Sequence, residues 1–216
     1  MATTARKQGR PAVSQPGRLD DARARMYREL VFESAECVFG QSGFEHATMQ
    51  DIAGEAGISL KTLYATFAGK HELYEEIQKV RGQAFVERVA AASDPEATPL
   101  DRLAQSVRAY VDFLFEHRDW LRIHLQTRVS WGLRPNKGYA ADYWVEGLSP
   151  FASILAEGAQ SGVFYEADAM PTAALVQSIM QVKISQAVSG NQIDAGQTAD
   201  EIMLQLRRLL CRSQSR

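Results

Sequence analysis

The sequence predicts an all-α protein: an amino-terminal three-helix unit built on a helix-turn-helix, followed by a larger helical domain. Apolar residues recur at helical spacing from about residue 21 to the end, interrupted by Pro, Gly and Asn signals. No strand-like alternation of useful length intervenes. The stretch Thr48–Phe67, TMQDIAGEAGISLKTLYATF, reads as two short helices joined by a tight turn.

Residues 1–19 carry Arg6, Lys7, Arg10 and Arg18 and no acid, while Gly9, Pro11, Pro16 and Gly17 oppose regular structure. They read as a flexible basic arm. A first helix is expected from about Asp21 to Phe39, with Asp20 or Asp21 at its positive end and Tyr27, Leu30, Val31, Ala35, Val38 and Phe39 as the buried stripe. Gly40 and Gly43 bracket its end, and Phe44 re-enters the core.

In the first short helix Met49, Ile52, Ala53 and Ala56 share one face of a 3.6-residue period. Thr48 and Asp51 are placed to cap it, and Gly57 supplies a left-handed stop. Ser59 opens the second helix, where Leu63 and Phe67 face inward and Lys61, Thr62, Tyr64, Ala65 and Thr66 lie on the exposed side or its edges. A cation, hydroxyls and an aromatic with a polar tip are what recognition of phosphates and base edges requires. Leu60 suits either a thymine methyl or an extension of the Leu63/Phe67 face.

Beyond this motif, helical segments are expected from Lys70 to the Ser93-Asp94-Pro95 break, then at Leu100–His117, Trp120 to about Trp131, Tyr139–Gln160, Pro171–Ser189 and Thr198–Cys211. The first of the last two, with Leu175, Ile179 and Val182, leaves little polar face beyond Gln177, Gln181 and Lys183, and the second carries one apolar stripe that includes Ile202, Met203, Leu206, Leu209 and Leu210. Such helices pack against copies of themselves or into an intramolecular core. Between them and the helix-turn-helix, Phe113, Trp120, His124, Arg128, Trp131, Tyr143 and Trp144 form an aromatic set with a few polar groups. A small-molecule pocket is lined in this way, as is plain core. Arg128 or His124 suits an anionic or hydrogen-bonding ligand.

The chain has 216 residues and a net charge of −2, with 45% apolar and 23% charged residues. A globally basic nucleic-acid coat is excluded, so DNA affinity must come from local cations, namely the arm, Lys61 and Lys70, and from helix amino termini. Cys37 and Cys211 make neither a disulfide framework nor a zinc spacing. None of the four histidines has an acid three residues before it, against a di-iron bundle, and no phosphate loop, Gly-x-Ser-x-Gly elbow or His-Glu-x-x-His run occurs. No catalytic residue, metal site or cofactor is therefore expected. A soluble cytoplasmic protein is expected too, with no apolar run of membrane-spanning length and no secretory leader.

From Ala35 to Leu73 the chain resembles the TetR family of bacterial transcriptional regulators. Ala35, Phe39, Gly43, Phe44, Thr48, Ile52, Ala53, Ala56, Gly57, Ser59, Thr62, Leu63, Tyr64, Phe67, Lys70 and Leu73 stand in the family's order and spacing. Over the second half the resemblance rests on helix count and on Glu157-Gly158 followed by Gly162-Val163-Phe164. It implies a DNA-binding domain at 20–70 and a ligand-binding and dimerisation domain at 71–216. It further implies that Lys70 contacts the DNA backbone, that the last two helices form a four-helix dimer seam, and that a small-molecule effector enters the carboxy-terminal domain. The expected DNA-contacting set is Arg10, Thr48, Ser59, Leu60, Lys61, Thr62, Tyr64, Thr66 and Lys70. Ala65 and Thr66 depart from the larger residue and His or Tyr common in the family, which weakens or removes one phosphate contact. The expected function is a homodimeric repressor released from a palindromic operator on double-stranded DNA by a small molecule. The alternative is a ligand-independent or architectural DNA-binding protein, which would show salt-sensitive binding without sequence preference.

Overall fold

The computed structural model describes residues 16–126, 139–190 and 194–211, with side chains from residue 23 onward except those of 139–145. Among the described residues the chain forms nine helices: α1 (Pro16–Ser42), α2 (Met49–Glu55), α3 (Leu60–Thr66), α4 (Lys70–Ala91), α5 (Pro99–Glu116), α6 (Arg118–Gln126), α7 (Tyr139–Gln160), α8 (Ala169–Ser189) and α9 (Ala195–Leu210).

Helix α1 starts at Pro16 rather than near Asp21, so it takes in the last residues of the stretch read as an arm. A ring-locked φ suits proline to a first helical turn. The rest of the arm, Arg10 included, lies outside the described residues. The buried stripe of α1 is Val31, Phe32, Ala35, Val38 and Phe39, whereas Tyr27 and Leu30 are 48% and 41% exposed. Both lie on a side of α1 that the core does not bury, although α4 already meets the helix at Arg28 and Glu29.

Local rules account for the helix-turn-helix. Thr48 accepts from Asp51 N at 3.1 Å, and Asp51 reaches back to Thr48 N at 3.1 Å, a complete capping box with aspartate in the usual glutamate role. Gly57 adopts φ 64, and Ile58 N bonds Ala53 O at 3.0 Å, which ends α2 in a left-handed turn. Ser59 caps α3 through Thr62 N at 3.0 Å. Met49, Ile52, Ala53, Leu63 and Phe67 then close on Phe32 and Phe39 of α1.

Helix α1 packs on α2, α4 and α6, while α5 is surrounded by α4, α6, α7 and α9, and α8 lies on α7 and α9. One continuous apolar core runs from α1 to α9. The α1–α6 crossing is close: a Cβ on Gly40 would stand 3.1 Å from Asp119 O, and Gln126 Nε2 donates to Gly40 O at 2.6 Å. Inside the α1–α4 contact Arg81 Nε donates to Glu36 Oε1 at 2.6 Å, with both residues buried, and Arg81 pairs also with Glu29 at 2.6 Å. Helices α8 and α9 start earlier than expected, at Ala169 and Ala195: Asp194 caps α9 by accepting from Gln197 N at 2.7 Å, whereas Asp168 holds the cap position of α8 without a side-chain hydrogen bond to it. Among the described residues no helix is long and apolar enough to cross a membrane.

Candidate functional site

The outward face of α3 carries Leu60, Lys61, Thr62, Tyr64, Ala65 and Thr66, all exposed, with Leu60 at 38% and Tyr64 at 51%. The structure thus leaves Leu60 outside the Leu63/Phe67 face. Thr48 and Ser59 are exposed, but their hydroxyls already serve the caps, with Thr48 Oγ1 2.6 Å from Asp51 and Ser59 Oγ 2.7 Å from Thr62 Oγ1.

A groove between α1 and α3 is lined by Arg25, Tyr27, Arg28, Thr62 and Thr66 among others. Tyr27, read from the sequence as core, therefore stands across from α3, and Arg25 stands beside it. Two readable signals existed: Arg25 and Arg28 sit three residues apart on one helix face, and Tyr27 has a polar tip. Arg28 is committed elsewhere, paired with Glu76 and lying 5.5 Å and 5.6 Å over the Phe32 and Phe67 rings.

Lys70 is placed differently from the phosphate role expected for it. Its Nζ donates to Phe44 O, Glu45 O and Ala47 O at 2.8, 2.9 and 3.2 Å, and lies 4.8 Å from the Phe44 ring centroid. An ammonium has three donors, and all three are spent on the loop between α1 and α2. Lys70 is a clasp that ties the start of α4 to the entry of the helix-turn-helix. Lys70→Met should lower unfolding free energy in urea by about 1–2 kcal/mol and leave the salt slope of DNA binding unchanged. Unchanged stability with a slope reduced by about one would return Lys70 to the phosphate backbone.

The expected ligand set divides. Arg128 and Trp131, and the side chains of Tyr143 and Trp144 in α7, lie outside the described residues. Phe113 and Trp120 are buried at 3% and 6% exposure, joined with Phe85 into one aromatic block at centroid distances of 5.3, 5.9 and 6.1 Å. Trp120 Nε1 donates to Gln78 Oε1 at 3.2 Å. His124 lies edge-on to Trp120 at 4.4 Å, and burial pushes its imidazole down to about 4, so it is neutral near pH 7. In that form it offers a ligand a hydrogen bond rather than a charge.

The dimer-seam set divides as well. Ile202, Met203 and Leu206 are 0%, 8% and 0% exposed, buried within this chain where α9 packs against α5. They are removed from the candidate seam. Leu175, Val182 and Leu209 are 65%, 56% and 58% exposed and, with half-buried Ile179 and Leu210, line an apolar groove along α8 and α9.

Comparisons with known proteins agree with this geometry. Residues 31–77 match the model of the bacterial regulatory proteins of the tetR family. The chain is 26% identical over 137 residues to the HTH-type transcriptional repressor KstR2 of Mycobacterium tuberculosis, covering 63% of this chain and 68% of that one. It is 31% identical over 119 residues to the HTH-type transcriptional activator FasR of Mycolicibacterium smegmatis, covering 54% of this chain and 53% of FasR. The solved structure of the ketosteroid transcriptional regulator KstR2 superposes with a TM-score of 0.72 at 22% identity, over 86% of this chain and 95% of that one. Family match, relatives and fold all point to the TetR family of bacterial transcriptional regulators, whose model matches residues 31–77 of this chain.

Proposed function

We propose that the protein is a homodimeric repressor that places α3 of each subunit in the major groove of a palindromic operator and leaves it when a small molecule enters the carboxy-terminal helices. The exposed face of α3 carries this reading, since Lys61, Thr62, Tyr64 and Thr66 project from a helix whose opposite face is buried through Leu63. Arg25 and Tyr27 extend the face across the groove to α1, and Arg10 belongs to the arm that grips the backbone. KstR2, a repressor by name, favours repression. A ligand shifts the equilibrium between reading-head spacings only through its different affinity for the two states.

Association runs through Leu175, Ile179, Val182, Leu209 and Leu210, whose exposure would otherwise leave an apolar strip in water. Leu209→Glu should give monomers by light scattering with an unchanged far-UV spectrum, whereas Leu206→Glu should unfold the chain because that position has no access to water. A dimer that survives Leu209→Glu would move the seam elsewhere.

The operator reading is tested by incubating the protein with fragments of its own genome at ~0.15 M salt, sequencing what is retained and footprinting the best binder. Paired half-sites about one helical turn or a small multiple apart are expected. Uniform, salt-sensitive retention would support an architectural protein instead.

A further inference from the structure

Inside the carboxy-terminal helices, polar groups collect where hydrogen bonds are missing. Tyr110 of α5 is 3% exposed, and burial pushes its phenol up to about 12. Gln177 and Gln181 of α8 face that phenol closely enough to bias its titration, and among the described residues no charged group does so. Yet Gln177 Oε1 and Gln181 Nε2 are sealed from solvent without a hydrogen bond at ordinary geometry, as is Ser106 Oγ one turn before Tyr110. Helix α8 packs on α7 and α9, and Gln177 and Gln181 reach from it toward Tyr110 of α5.

The phenol ring itself belongs to an aromatic wall, 4.8 Å from Phe85 and 6.4 Å from Phe151. An unpaired buried amide is costly, and native interiors rarely keep several together without a partner of some kind. Phenol and amides can both donate and accept, but none neutralises a charge, and burying an uncompensated ion here would cost far more than a neutral group.

We propose that Tyr110, Gln177 and Gln181 are the recognition point for the effector, which is an uncharged, largely apolar molecule carrying one carbonyl or hydroxyl group. Its polar atom completes the glutamine hydrogen bonds, and its apolar body lies against Phe85 and Phe151. This rests on the reading of the carboxy-terminal helices as an effector domain.

The test uses the full-length protein, with decanol and decanoate as probes of equal chain and different charge. Calorimetric titration should show decanol binding the wild type, with decanoate weaker by roughly tenfold or more. Gln177→Leu/Gln181→Leu should unfold at the same or a higher temperature than wild type, because it removes unpaired amides. The same variant should bind decanol roughly tenfold more weakly, the worth of one to two neutral hydrogen bonds. A marked fall in its unfolding temperature would overturn the assignment by making the glutamines structural, with a buried water completing them. Decanoate binding as tightly as decanol, or decanol binding the variant as it binds the wild type, would overturn the assignment and leave the effector domain standing. Binding of neither probe by the wild type would overturn both.

Discussion

Arg81→Met should lower the unfolding free energy by about 3–5 kcal/mol, read as an earlier urea midpoint. Arg81 and Glu36 are 8% and 4% exposed, so removing the guanidinium strands a carboxylate in the α1–α4 contact with neither water nor a donor to replace it. Glu36→Gln should cost far less, because the amide oxygen still accepts from Arg81 Nε. Replacing both residues by methionine should recover most of the loss, since the cost of a broken buried pair lies mainly in the charge left behind. A single Arg81→Met variant as stable as its parent would mean that Glu29 and Glu36 find other partners.

The pair also sets a pH dependence. Burial pushes the Glu36 carboxyl up, and the hydrogen bond and charge of Arg81 pull it down without cancelling that effect. Burial likewise opposes the charge on Arg81, but its two carboxylates hold it above its ordinary value. Because Glu36 binds its proton more tightly in the folded state, its contribution to stability is complete below the ordinary carboxylate value. That contribution is lost as pH rises through the raised value. Glu36→Gln lacks this titration, so its stability relative to the parent should increase with pH across the same window.

Gly158→Ala should cost about 3 kcal/mol and lower the melting temperature by roughly 6–12 °C. A Cβ at Gly158 would stand 2.1 Å and 2.3 Å from two atoms of the Phe164 ring. That ring is 1% exposed, and its own backbone is tied to the same glycine, with Val163 N and Phe164 N bonding Gly158 O at 2.8 and 3.0 Å. Neither ring nor chain can withdraw without opening the end of α7. Gly54→Ala is the control: nothing lies within 4 Å of its Cβ, so it should be neutral or stabilising. Equal effects at the two positions would show that backbone freedom, not the Phe164 contact, dominates.

The helix-turn-helix was legible because its determinants are local. Thr48 with Asp51, Gly57, and the spacing of Met49, Ile52, Leu63 and Phe67 act within a few residues of one another, and α2 and α3 follow from them. Boundaries failed where a cap lay upstream of the apolar pattern, as at Asp194 before α9. Non-local choices were not legible. Periodicity marks Ile202, Leu206 and Leu209 alike as apolar, and only the position of α5 decides that the first two turn inward while Leu209 turns out. The contacts of Lys70 were hidden for the same reason: its partners are the carbonyls of Phe44, Glu45 and Ala47, more than twenty residues earlier, and carbonyls carry no side-chain signature. Gln177 and Gln181 stand out in the sequence only as the polar remainder of an apolar helix, and their approach to Tyr110, some seventy residues earlier, carries no local signal.

Helix α4 is one uninterrupted rod from Lys70 to Ala91, clasped at its first residue, ionically pinned at Arg81 and embedded among aromatic rings at Phe85. At ~1.5 Å per residue, Lys70 lies about 16 Å from Arg81 along the axis. A tilt of about 5° around that pin, small enough to follow the displacement of a single ring, would carry the clasped end through about 1.4 Å. Because the clasp grips the loop that introduces α2, both short helices would travel with it. In such a tilt the gain would be set by where along the rod the ionic pin falls, and moving that pair one turn toward Phe85 would lengthen the arm that ends at Lys70 and shorten the opposite one.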